Sequence, residues 1–255
     1  MRPGDGSVWI TGASAGIGRA LALDMAARGW QVYATARGAE ALNALAEESD
    51  GRIVAVQGDV TSAEDMRAAV ARIVQDGPLA MAIFNAGVYL PMRAQTFSAA
   101  DAAKTFDVNL AGVANGLEPV LEHMTGRRDG HIALIASVAG YRGLPNAAAY
   151  SATKAGLIAM AEALAMDLVD LGVRISVVNP GFVETEATSV NEFEMPMLLQ
   201  PEEAASRIAD GLARPGFEIR FPWQFALFLR AVGLLPNRAY IWAVRKALGW
   251  DKMRA

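Results

Sequence analysis

The chain has 255 residues but no cysteine and only two histidines, and these absences exclude several kinds of chemistry. Without cysteine there is no disulfide framework, no thiolate nucleophile and no cysteine-ligated metal ion. The two histidines, His123 and His131, do not belong to any carboxylate cluster at ligand spacing. We therefore predict no metal site and interpret both histidines as ordinary surface or core residues.

An excess of positive charge is also lacking. The formal net charge is −4, which argues against nucleic acid as a partner. The first residues contain no apolar segment of the kind found in signal peptides, so we expect a cytoplasmic protein. A chain of this length buries roughly 70% of its unfolded surface and needs no covalent staples.

Short apolar runs alternate with segments of helical periodicity along the chain. Predicted strands cover residues 8–11, 31–36, 53–57, 80–84, 131–136, 173–178 and 217–221. Predicted helices cover residues 17–28, 39–48, 62–75, 100–124, 150–171 and 201–213. This alternation predicts a single α/β domain with a parallel sheet and right-handed crossovers. Ligands of such a sheet lie beyond the carboxyl ends of the strands.

A glycine-rich turn joins the first predicted strand to the first helix, in the run Thr11-Gly12-Ala13-Ser14-Ala15-Gly16-Ile17-Gly18. Glycines let the backbone turn sharply and approach a pyrophosphate, and the following helix offers free N–H groups and its positive dipole end. The alternative is a tight turn without a ligand. We favour a dinucleotide site because the pattern lies between a strand and a helix, as this motif requires.

The second predicted strand ends without the acidic residue that would hydrogen-bond the ribose 2′-hydroxyl of NAD. Ala36 and then Arg37 occupy this end. A guanidinium suits a 2′-phosphate, with which it makes charge-assisted and often bidentate bonds. We therefore favour NADP(H) over NAD(H), the alternative being a solvated arginine at the start of a helix.

Tyr150 and Lys154 have a spacing that places both side chains on one face of a helix. A nearby ammonium favours the ionised phenol, so we expect the pKa of Tyr150 to fall below its ordinary value of about 10. Such a tyrosine is a suitable acid–base catalyst, and Ser137 closes the preceding strand. Each of these residues, and also Asn109 on the long helix, has an alternative interpretation as an ordinary structural residue. Their joint presence with the glycine turn points to hydride transfer.

In their order along the chain, these motifs resemble the short-chain dehydrogenase/reductase family over residues 7–185. The further elements are Asp59-Val60 after the third strand, Asn85-Ala86-Gly87 after the fourth, Asn109, and Pro180-Gly181 with Thr185 after the sixth. The resemblance implies a single-domain, Rossmann-like, doubly wound sheet of seven parallel strands, with helices on both faces. The implied strand order is 3-2-1-4-5-6-7.

The resemblance also implies roles for individual residues. Asp59 and Val60 would meet the adenine, and Val183 would hold the nicotinamide carboxamide through its backbone. The implied cofactor-binding residues are Gly12, Ser14, Ala15, Gly16, Ile17, Gly18, Arg37, Asp59, Val60, Asn85, Ala86, Gly87, Tyr150, Lys154, Pro180, Gly181, Val183 and Thr185. Some NADP-preferring members carry a basic residue inside the glycine turn. This chain departs from that pattern, with Ser14 as a hydrogen-bond donor instead.

The implied catalytic residues are Asn109, Ser137, Tyr150 and Lys154. We expect carbonyl reduction, in which Ser137 and Tyr150 hydrogen-bond the substrate oxygen and Tyr150 donates a proton to it. Lys154 would bind the nicotinamide ribose, and Asn109 would support a water chain to solvent. One alternative is an NAD(P)+-dependent alcohol or hydroxysteroid-type dehydrogenase. The other is a catalytically silent nucleotide sensor or scaffold, which the presence of Tyr150 and Lys154 disfavours.

Residues 186–200 form a candidate substrate lid with the apolar side chains Val190, Phe193, Met195, Met197, Leu198 and Leu199. We expect Leu90, Met92 and Tyr141 to approach from other loops. Flexible methionines line adaptable apolar pockets, and no cluster of basic residues is present there for an acidic substrate. The sequence therefore predicts a small apolar ketone or aldehyde. The alternative is a lid that packs on its own core.

Residues 1–222 form the predicted catalytic domain, and residues 223–255 form a hydrophobic and amphipathic helical extension of it. Ile241, Val244 and Leu248 share a predicted apolar helix face, and Trp223, Trp242 and Trp250 also lie in this extension. Residues 223–250 are too short and too charged to span a bilayer but suit a membrane interface. The slightly favoured alternative is packing over the cleft or against a second subunit, in a homodimer or homotetramer.

Overall fold

A computed structural model describes residues 1–189 and 195–247. These residues contain one parallel sheet of seven strands in the order β3-β2-β1-β4-β5-β6-β7, as the family resemblance implies. The strands are β1 (Ser7–Thr11), β2 (Val32–Ala36), β3 (Ile53–Gln57), β4 (Leu79–Phe84), β5 (Gly130–Ile135), β6 (Val173–Pro180) and β7 (Glu218–Phe221). Each predicted strand is confirmed to within one or two residues at its ends.

Helices cover both faces of the sheet. They are α1 (Gly16–Ala27), α2 (Ala39–Glu47), α3 (Ala63–Asp76), α4 (Ala99–Phe106), α5 (Gly112–Arg127), α6 (Ala148–Leu168), α7 (Pro201–Leu212), α8 (Trp223–Gly233) and α9 (Asn237–Ala247). Ser62 caps α3 by accepting the N–H of Asp65 at 3.1 Å, as its position predicts.

The central strands are buried along their whole length, which is typical of parallel strands covered on both faces. Alternate side chains of β1 therefore enter different cores. Val8 and Ile10 pack with residues of α1 and α7. Trp9 packs on the opposite face with residues of α3, α5 and α6. Two apolar layers thus hold the sheet in place, and the loops at its carboxyl edge remain available for a site.

The predicted helix over residues 100–124 is present, but a π-helical turn, Asp107–Ala111, separates α4 from α5. A π turn widens the helix locally and is frequent at functional sites. This one contains Asn109, whose side chain is fully buried. The widening therefore aims a polar side chain inward from the middle of an otherwise regular helix.

The apolar face predicted for the last helix is partly wrong. Tyr240 and Val244 are the buried residues of α9, whereas Ile241 is 56% exposed. The reason is a contact with a distant segment, because the hydroxyl of Tyr240 donates to the carbonyl of Gly143 at 2.8 Å. The Arg142 guanidinium also lies 4.2 Å from the centre of the Tyr240 ring. These contacts set the rotation of the helix.

Four residues of the sequence predictions, Val190, Phe193, Leu248 and Trp250, lie outside the described residues. None of the helices within 1–189 and 195–247 combines the length and the apolarity that crossing a bilayer requires.

Candidate active site and cofactor cleft

The glycine turn packs against the loop after β4 with no room for side chains. Gly12 has a φ of 68°, and a Cβ there would lie 2.6 Å from the Cα of Ala86. A Cβ on Gly18 would lie 2.2 Å from the carbonyl oxygen of Gly12 and 2.4 Å from the amide nitrogen of Asn85. Both positions therefore require glycine, one for its conformation and both for close approach.

Hydrogen bonds join the same two loops. The Asn85 side-chain amide donates to the carbonyls of Thr11 and Gly12, each at 3.1 Å. The Thr11 hydroxyl accepts the N–H groups of Asn85 at 3.1 Å and of Ala86 at 3.2 Å. Asn85 thus holds the shape of the cleft. Thr11 opens the sequence motif, but nothing in the sequence indicated that its hydroxyl anchors both loops.

The first turn of α1 has no side-chain cap. The helix begins at Gly16, and Ala15 at the capping position provides no hydrogen bond. Its first N–H groups therefore lack a side-chain acceptor, which is the feature that a pyrophosphate exploits at such turns. The methyl of Thr185 lies 3.0 Å from where a Cβ on Gly16 would be, so the loop after β6 covers this turn.

Arg37 and Asp59 lie at the carboxyl ends of β2 and β3. The Asp59 carboxylate accepts the N–H and the hydroxyl of Thr61, each at 2.9 Å. These bonds, together with the charge of Arg37, hold the pKa of Asp59 below its usual value. Arg37 itself is exposed. The structure thus places a cation and an anion on the side of the cleft where the resemblance implies the adenosine.

Asn109 lies behind the cleft and holds its floor. Its Oδ1 accepts the N–H of Val88 at 2.8 Å, and its Nδ2 donates to the carbonyl of Val88 at 3.0 Å. Nδ2 also lies 3.2 Å from the hydroxyl of Thr153, which in turn donates to the carbonyl of Tyr150 at 2.8 Å. Asn109 therefore connects the loop after β4 to the catalytic helix. Its contact with water stays a prediction, and the sequence analysis missed Thr153.

Ser137, Tyr150 and Lys154 converge on one wall of the cleft. The Ser137 hydroxyl lies close enough to the Tyr150 hydroxyl to influence its pKa, and it accepts the N–H of Ala139 at 3.1 Å. The Lys154 ammonium lies 5.5 Å from the centre of the Tyr150 ring and donates to the carbonyl of Ile135 at 2.7 Å. The Tyr89 ring meets Tyr150 edge to face, with centroids 5.1 Å apart. No motif in the sequence pointed to Tyr89, which fixes the ring plane of Tyr150.

The expected lowering of the Tyr150 pKa is wrong for this arrangement. Burial raises the pKa of Tyr150 to about 12 and outweighs the influence of the nearby Ser137 hydroxyl, which lowers it. Burial also lowers the pKa of Lys154 to about 8. The physical reason is that the ammonium is directed at the Ile135 carbonyl, while both groups have lost the solvation of water. Tyr150 is therefore a protonated phenol near neutral pH.

A cavity of 410 Å³ contains this wall. It brings together ten of the predicted site residues, namely Ile17, Asn85, Gly87, Ser137, Tyr150, Lys154, Pro180, Gly181, Val183 and Thr185. The other predicted residues lie outside its lining: Gly12, Ser14, Ala15, Gly16, Gly18, Arg37, Asp59, Val60, Ala86 and Asn109. Gly12, Gly18, Ala86 and Asn109 shape the loops around the cavity.

The substrate side of the cavity differs from the prediction. Leu90, Met92 and Tyr141 do not line it. Met92 packs with Ala102 and Ala149 instead, and the Tyr141 hydroxyl donates to Glu218 at 2.6 Å. The apolar lining comes from Tyr89, Leu144, Pro145, Phe182, Phe225, Phe228, Leu229 and Val232.

The candidate lid is pinned at its base. The Leu199 N–H donates to the carbonyl of Phe182 at 3.0 Å, and the Glu184 N–H donates to the carbonyl of Leu199 at 2.9 Å. Leu199 is buried in the core, whereas Met197 and Leu198 are exposed. Among the described lid residues, Ala187, Thr188 and Pro196 line the cavity. The methionines expected there, Met195 and Met197, are not among the lining residues.

The two C-terminal helices close the cavity from the other side. Phe225, Leu229 and Val244 belong to its lining, and Ala226 and Leu229 pack on Val138. A polar network centred on Glu218 supports this packing, since its carboxylate accepts from Tyr141, from Asn179 at 2.8 Å and from Arg230 at 3.1 Å. Of the alternatives for the tail, packing over the cleft is the one that the structure contains.

The cleft fits a dinucleotide on structural grounds. The glycine turn excludes every Cβ at its closest approaches, the first turn of α1 lacks a cap, and a buried lysine faces the same cavity. Together with the doubly wound sheet, this arrangement defines a Rossmann-type oxidoreductase.

The chain belongs to the short-chain dehydrogenase/reductase family. The family model for short chain dehydrogenase matches residues 7–194. The chain is 38% identical over 241 residues to an uncharacterized oxidoreductase of Myxococcus xanthus, covering 93% of this chain and 95% of the relative. It is 33% identical over 201 residues to the 3-oxoacyl-(acyl-carrier-protein) reductase FabG of Staphylococcus aureus, covering 76% and 82%.

Solved structures show the same likeness. A short-chain dehydrogenase from Streptomyces avermitilis is 25% identical, with a TM-score of 0.80 and 97% of each chain covered. A tryptophan variant of the actinorhodin polyketide ketoreductase with NADPH is 28% identical, with a TM-score of 0.76, covering 87% of this chain and 97% of that one.

Proposed function

We propose that the protein reduces a small apolar ketone or aldehyde to an alcohol with NADPH. The observation that carries the proposal is the convergence of Ser137, Tyr150 and Lys154 on a cavity whose other lining is largely apolar. A nicotinamide cofactor, when bound, supplies the hydride. The side chains of the protein then have three tasks, which are to orient the carbonyl, to donate a proton and to exclude water.

Tyr150 and Ser137 orient the substrate. Both residues line the cavity and their hydroxyls lie near each other, so a carbonyl oxygen placed between them would accept from both. As negative charge grows on that oxygen, these donors stabilise it and Tyr150 transfers its proton. The ammonium of Lys154 lies on the same wall, so its positive charge stabilises the phenolate that forms on Tyr150.

The protonated form of Tyr150 is the form with which carbonyl reduction begins. The alternative, alcohol oxidation, uses the same site in reverse, and the ratio of reduced to oxidised cofactor sets the net direction. Oxidation begins with a phenolate that accepts a proton, and burial raises the pKa of Tyr150 to about 12. Reduction begins with a phenol, which is the form present near neutral pH. The NADPH-bound ketoreductase and the acyl-carrier-protein reductase among the similar proteins support the direction of reduction.

NADPH is proposed over NADH on the strength of Arg37. It follows a strand that ends in Ala36, so no carboxylate competes for the ribose hydroxyl at that position. Asp59 lies close enough to interact with Arg37, but its carboxylate is already engaged by Thr61. Arg37 is exposed, so its guanidinium is accessible to a 2′-phosphate.

The test is a panel of apolar ketones and aldehydes with NADPH and NADH, followed at the nicotinamide absorbance. We expect consumption of NADPH with at least one class of apolar carbonyl, and slower consumption of NADH. A catalytically silent sensor would bind NADPH but consume neither cofactor with any carbonyl, nor reduce either oxidised cofactor with the matching alcohols. That result would exclude the enzymatic proposal.

A further inference from the structure

The two C-terminal helices have a buried inner side and an exposed outer side. The inner side packs on the catalytic domain, as already described. The outer side leaves large apolar residues in solvent: Trp223 is 60% exposed, Leu227 52%, Phe228 52%, Leu234 88%, Ile241 56% and Trp242 64%. Isolated exposed apolar residues are normal, but a continuous group on adjacent elements indicates an interaction site.

Helical spacing organises the outer side into strips. On α8 and its end, Trp223, Leu227 and Leu234 follow intervals of four and seven, so they lie in one line. On α9, Arg238, Ile241 and Trp242 follow intervals of three and one on the side opposite the buried Tyr240. Each helix therefore presents large apolar residues on its outer side as well as on its buried inner side.

The charge of this segment is opposite to that of the rest of the chain. Residues 222–247 contain Arg230, Arg238, Arg245 and Lys246 and no acidic residue, whereas the whole chain carries a net charge of −4. Arg230 is paired with Glu218, so its charge is largely compensated. Arg238 and Lys246 remain at the exposed edge of α9, and Lys246 lies 5.9 Å from the centre of the Trp242 ring.

A second exposed apolar patch provides a contrast. On α6, Met166 and Val169 are each 73% exposed, but Asp167 and Asp170 adjoin them in the sequence. That patch is apolar and acidic, while the tail patch is apolar and basic. The two surfaces are therefore suited to different partners.

We propose that the outer side of α8 and α9 binds the surface of a bilayer that contains anionic phospholipid. Interfacial helices of this kind bury an apolar strip below the headgroups, with tryptophan at the boundary and Lys and Arg beside the lipid charge. A second copy of the chain is a poorer partner. A two-fold contact would bring two copies of the same basic segment together, and residues 222–247 contain no acidic residue to pair with Arg238 or Lys246.

Binding in this orientation would bring the cavity to the lipid. Phe228 lines the cavity and is also half exposed on the outer side. An apolar substrate dissolved in the bilayer would then reach the cavity past this ring, a consequence that rests on the proposed carbonyl reduction. The binding itself does not depend on that function.

The experiment is flotation of the full chain, without cofactor or substrate, on vesicles of phosphatidylcholine with or without phosphatidylglycerol. We expect flotation only with phosphatidylglycerol, and weaker binding as salt is raised. Replacement of both cations, Arg238→Gln with Lys246→Gln, should lower the affinity for these vesicles about fivefold for each residue replaced. The reason is that each cation near an anionic surface contributes about 1 kcal/mol. Trp223→Ser with Trp242→Ser weakens binding at least as much.

The matched control is Met166→Ser with Val169→Ser on α6, which should leave flotation unchanged. Thermal unfolding of each variant checks that it is folded. Equal flotation on both kinds of vesicle, or an equal loss in the control, overturns the proposal. A third outcome would also overturn it: the wild type does not bind vesicles but self-associates, as measured by light scattering, and the two tryptophan replacements abolish this self-association. Because no turnover is measured, these outcomes are independent of the enzymatic proposal.

Discussion

The two walls of the cleft are built in different ways. The cofactor wall consists of backbone and small residues held at fixed distances, as where Gly12 and Gly18 meet Ala86 and Asn85. The substrate wall consists of large side chains from a loop and two helices, among them Phe182 and Phe225, whose ring centroids lie 5.7 Å apart. The first wall tolerates almost no change in shape, whereas the second tolerates changes in volume.

This difference explains why the sequence identifies the class of reaction but not the substrate. Residues with one permitted geometry leave a motif in the sequence, so the cofactor wall identifies the chemistry. Apolar residues are interchangeable at moderate cost, so the substrate wall defines a volume without a recognisable motif. The predictions that follow test each wall in turn.

The largest effect is expected where the two walls meet. Tyr150→Phe removes the proton donor but keeps the ring that packs on Tyr89. We expect kcat to fall by about 10²- to 10⁴-fold, the usual contribution of a positioned acid. NADPH affinity, measured by fluorescence titration, should change little. Substantial residual turnover would show that another group donates the proton.

A methyl group in the glycine turn should disrupt the cofactor wall. In Gly18→Ala the new Cβ would lie 2.2 Å from a carbonyl oxygen, so the turn must move. We expect NADPH binding to weaken by at least about tenfold and unfolding to become easier by about 1–3 kcal/mol, as for other overpacked sites. The control is Gly126→Ala on α5, where a Cβ meets nothing within 4 Å. If both variants bind NADPH like the wild type, the close approach has no functional role.

The pH dependence tests the charges on the shared wall. Burial lowers the pKa of Lys154 to about 8, so its charged form is present below that pH and is lost above it. Tyr150, with its pKa raised to about 12, stays protonated throughout this range. We expect kcat/KM for carbonyl reduction to fall about tenfold per pH unit above about pH 8. In Lys154→Arg this fall in kcat/KM above about pH 8 should disappear, since arginine keeps its charge. An unchanged fall would mean that another group causes it.

Arg37 tests the outer end of the cofactor wall. Arg37→Ala removes a charge-assisted partner of the 2′-phosphate, and such a bond to an exposed group contributes about 1.5–3 kcal/mol. We expect KM for NADPH to rise by about tenfold or more and KM for NADH to stay unchanged. Arg19→Ala is a control, since Arg19 is an exposed cation of α1 that pairs with Glu48. Equal losses with both cofactors would mean that Arg37 supports the fold and does not select the cofactor.

The smallest effect is expected on the substrate wall. Phe225→Ala enlarges the cavity beside Gly181 and Phe182. We expect bulkier apolar ketones to gain relative to small ones by up to about tenfold in kcat/KM, the lower end of the discrimination that pocket volume provides. NADPH affinity should not change. An unaltered order of substrates would show that Phe225 does not border the reacting molecule.

The sequence predicted the sheet because each strand is a short apolar run between helices, and the runs of β1, β2, β4 and β5 became buried on both faces. It also predicted the residues that converge on the cavity, since Ser137, Tyr150 and Lys154 occupy fixed places relative to a strand end and a helix. These features are local, and local patterns are what a sequence displays.

The rest depends on contacts between distant segments. The pKa of Tyr150 follows from burial and from the direction of Lys154 toward Ile135, neither of which a spacing of four encodes. The π turn at Asn109 leaves the helical periodicity almost unchanged. The rotation of α9 follows Tyr240 and its bond to Gly143, far away in the chain, so the alternative apolar face through Ile241 was equally plausible from periodicity alone.

The most direct test of the account is the fate of the hydride. The enzyme is given an apolar ketone from the panel and NADPH that carries deuterium at the transferred position of C4, and the product alcohol is analysed by mass spectrometry and NMR. The account predicts one deuterium on the former carbonyl carbon, a solvent-derived hydrogen on the oxygen, and negligible product with Tyr150→Phe. Alcohol without deuterium on that carbon, or undiminished product with Tyr150→Phe, would contradict it.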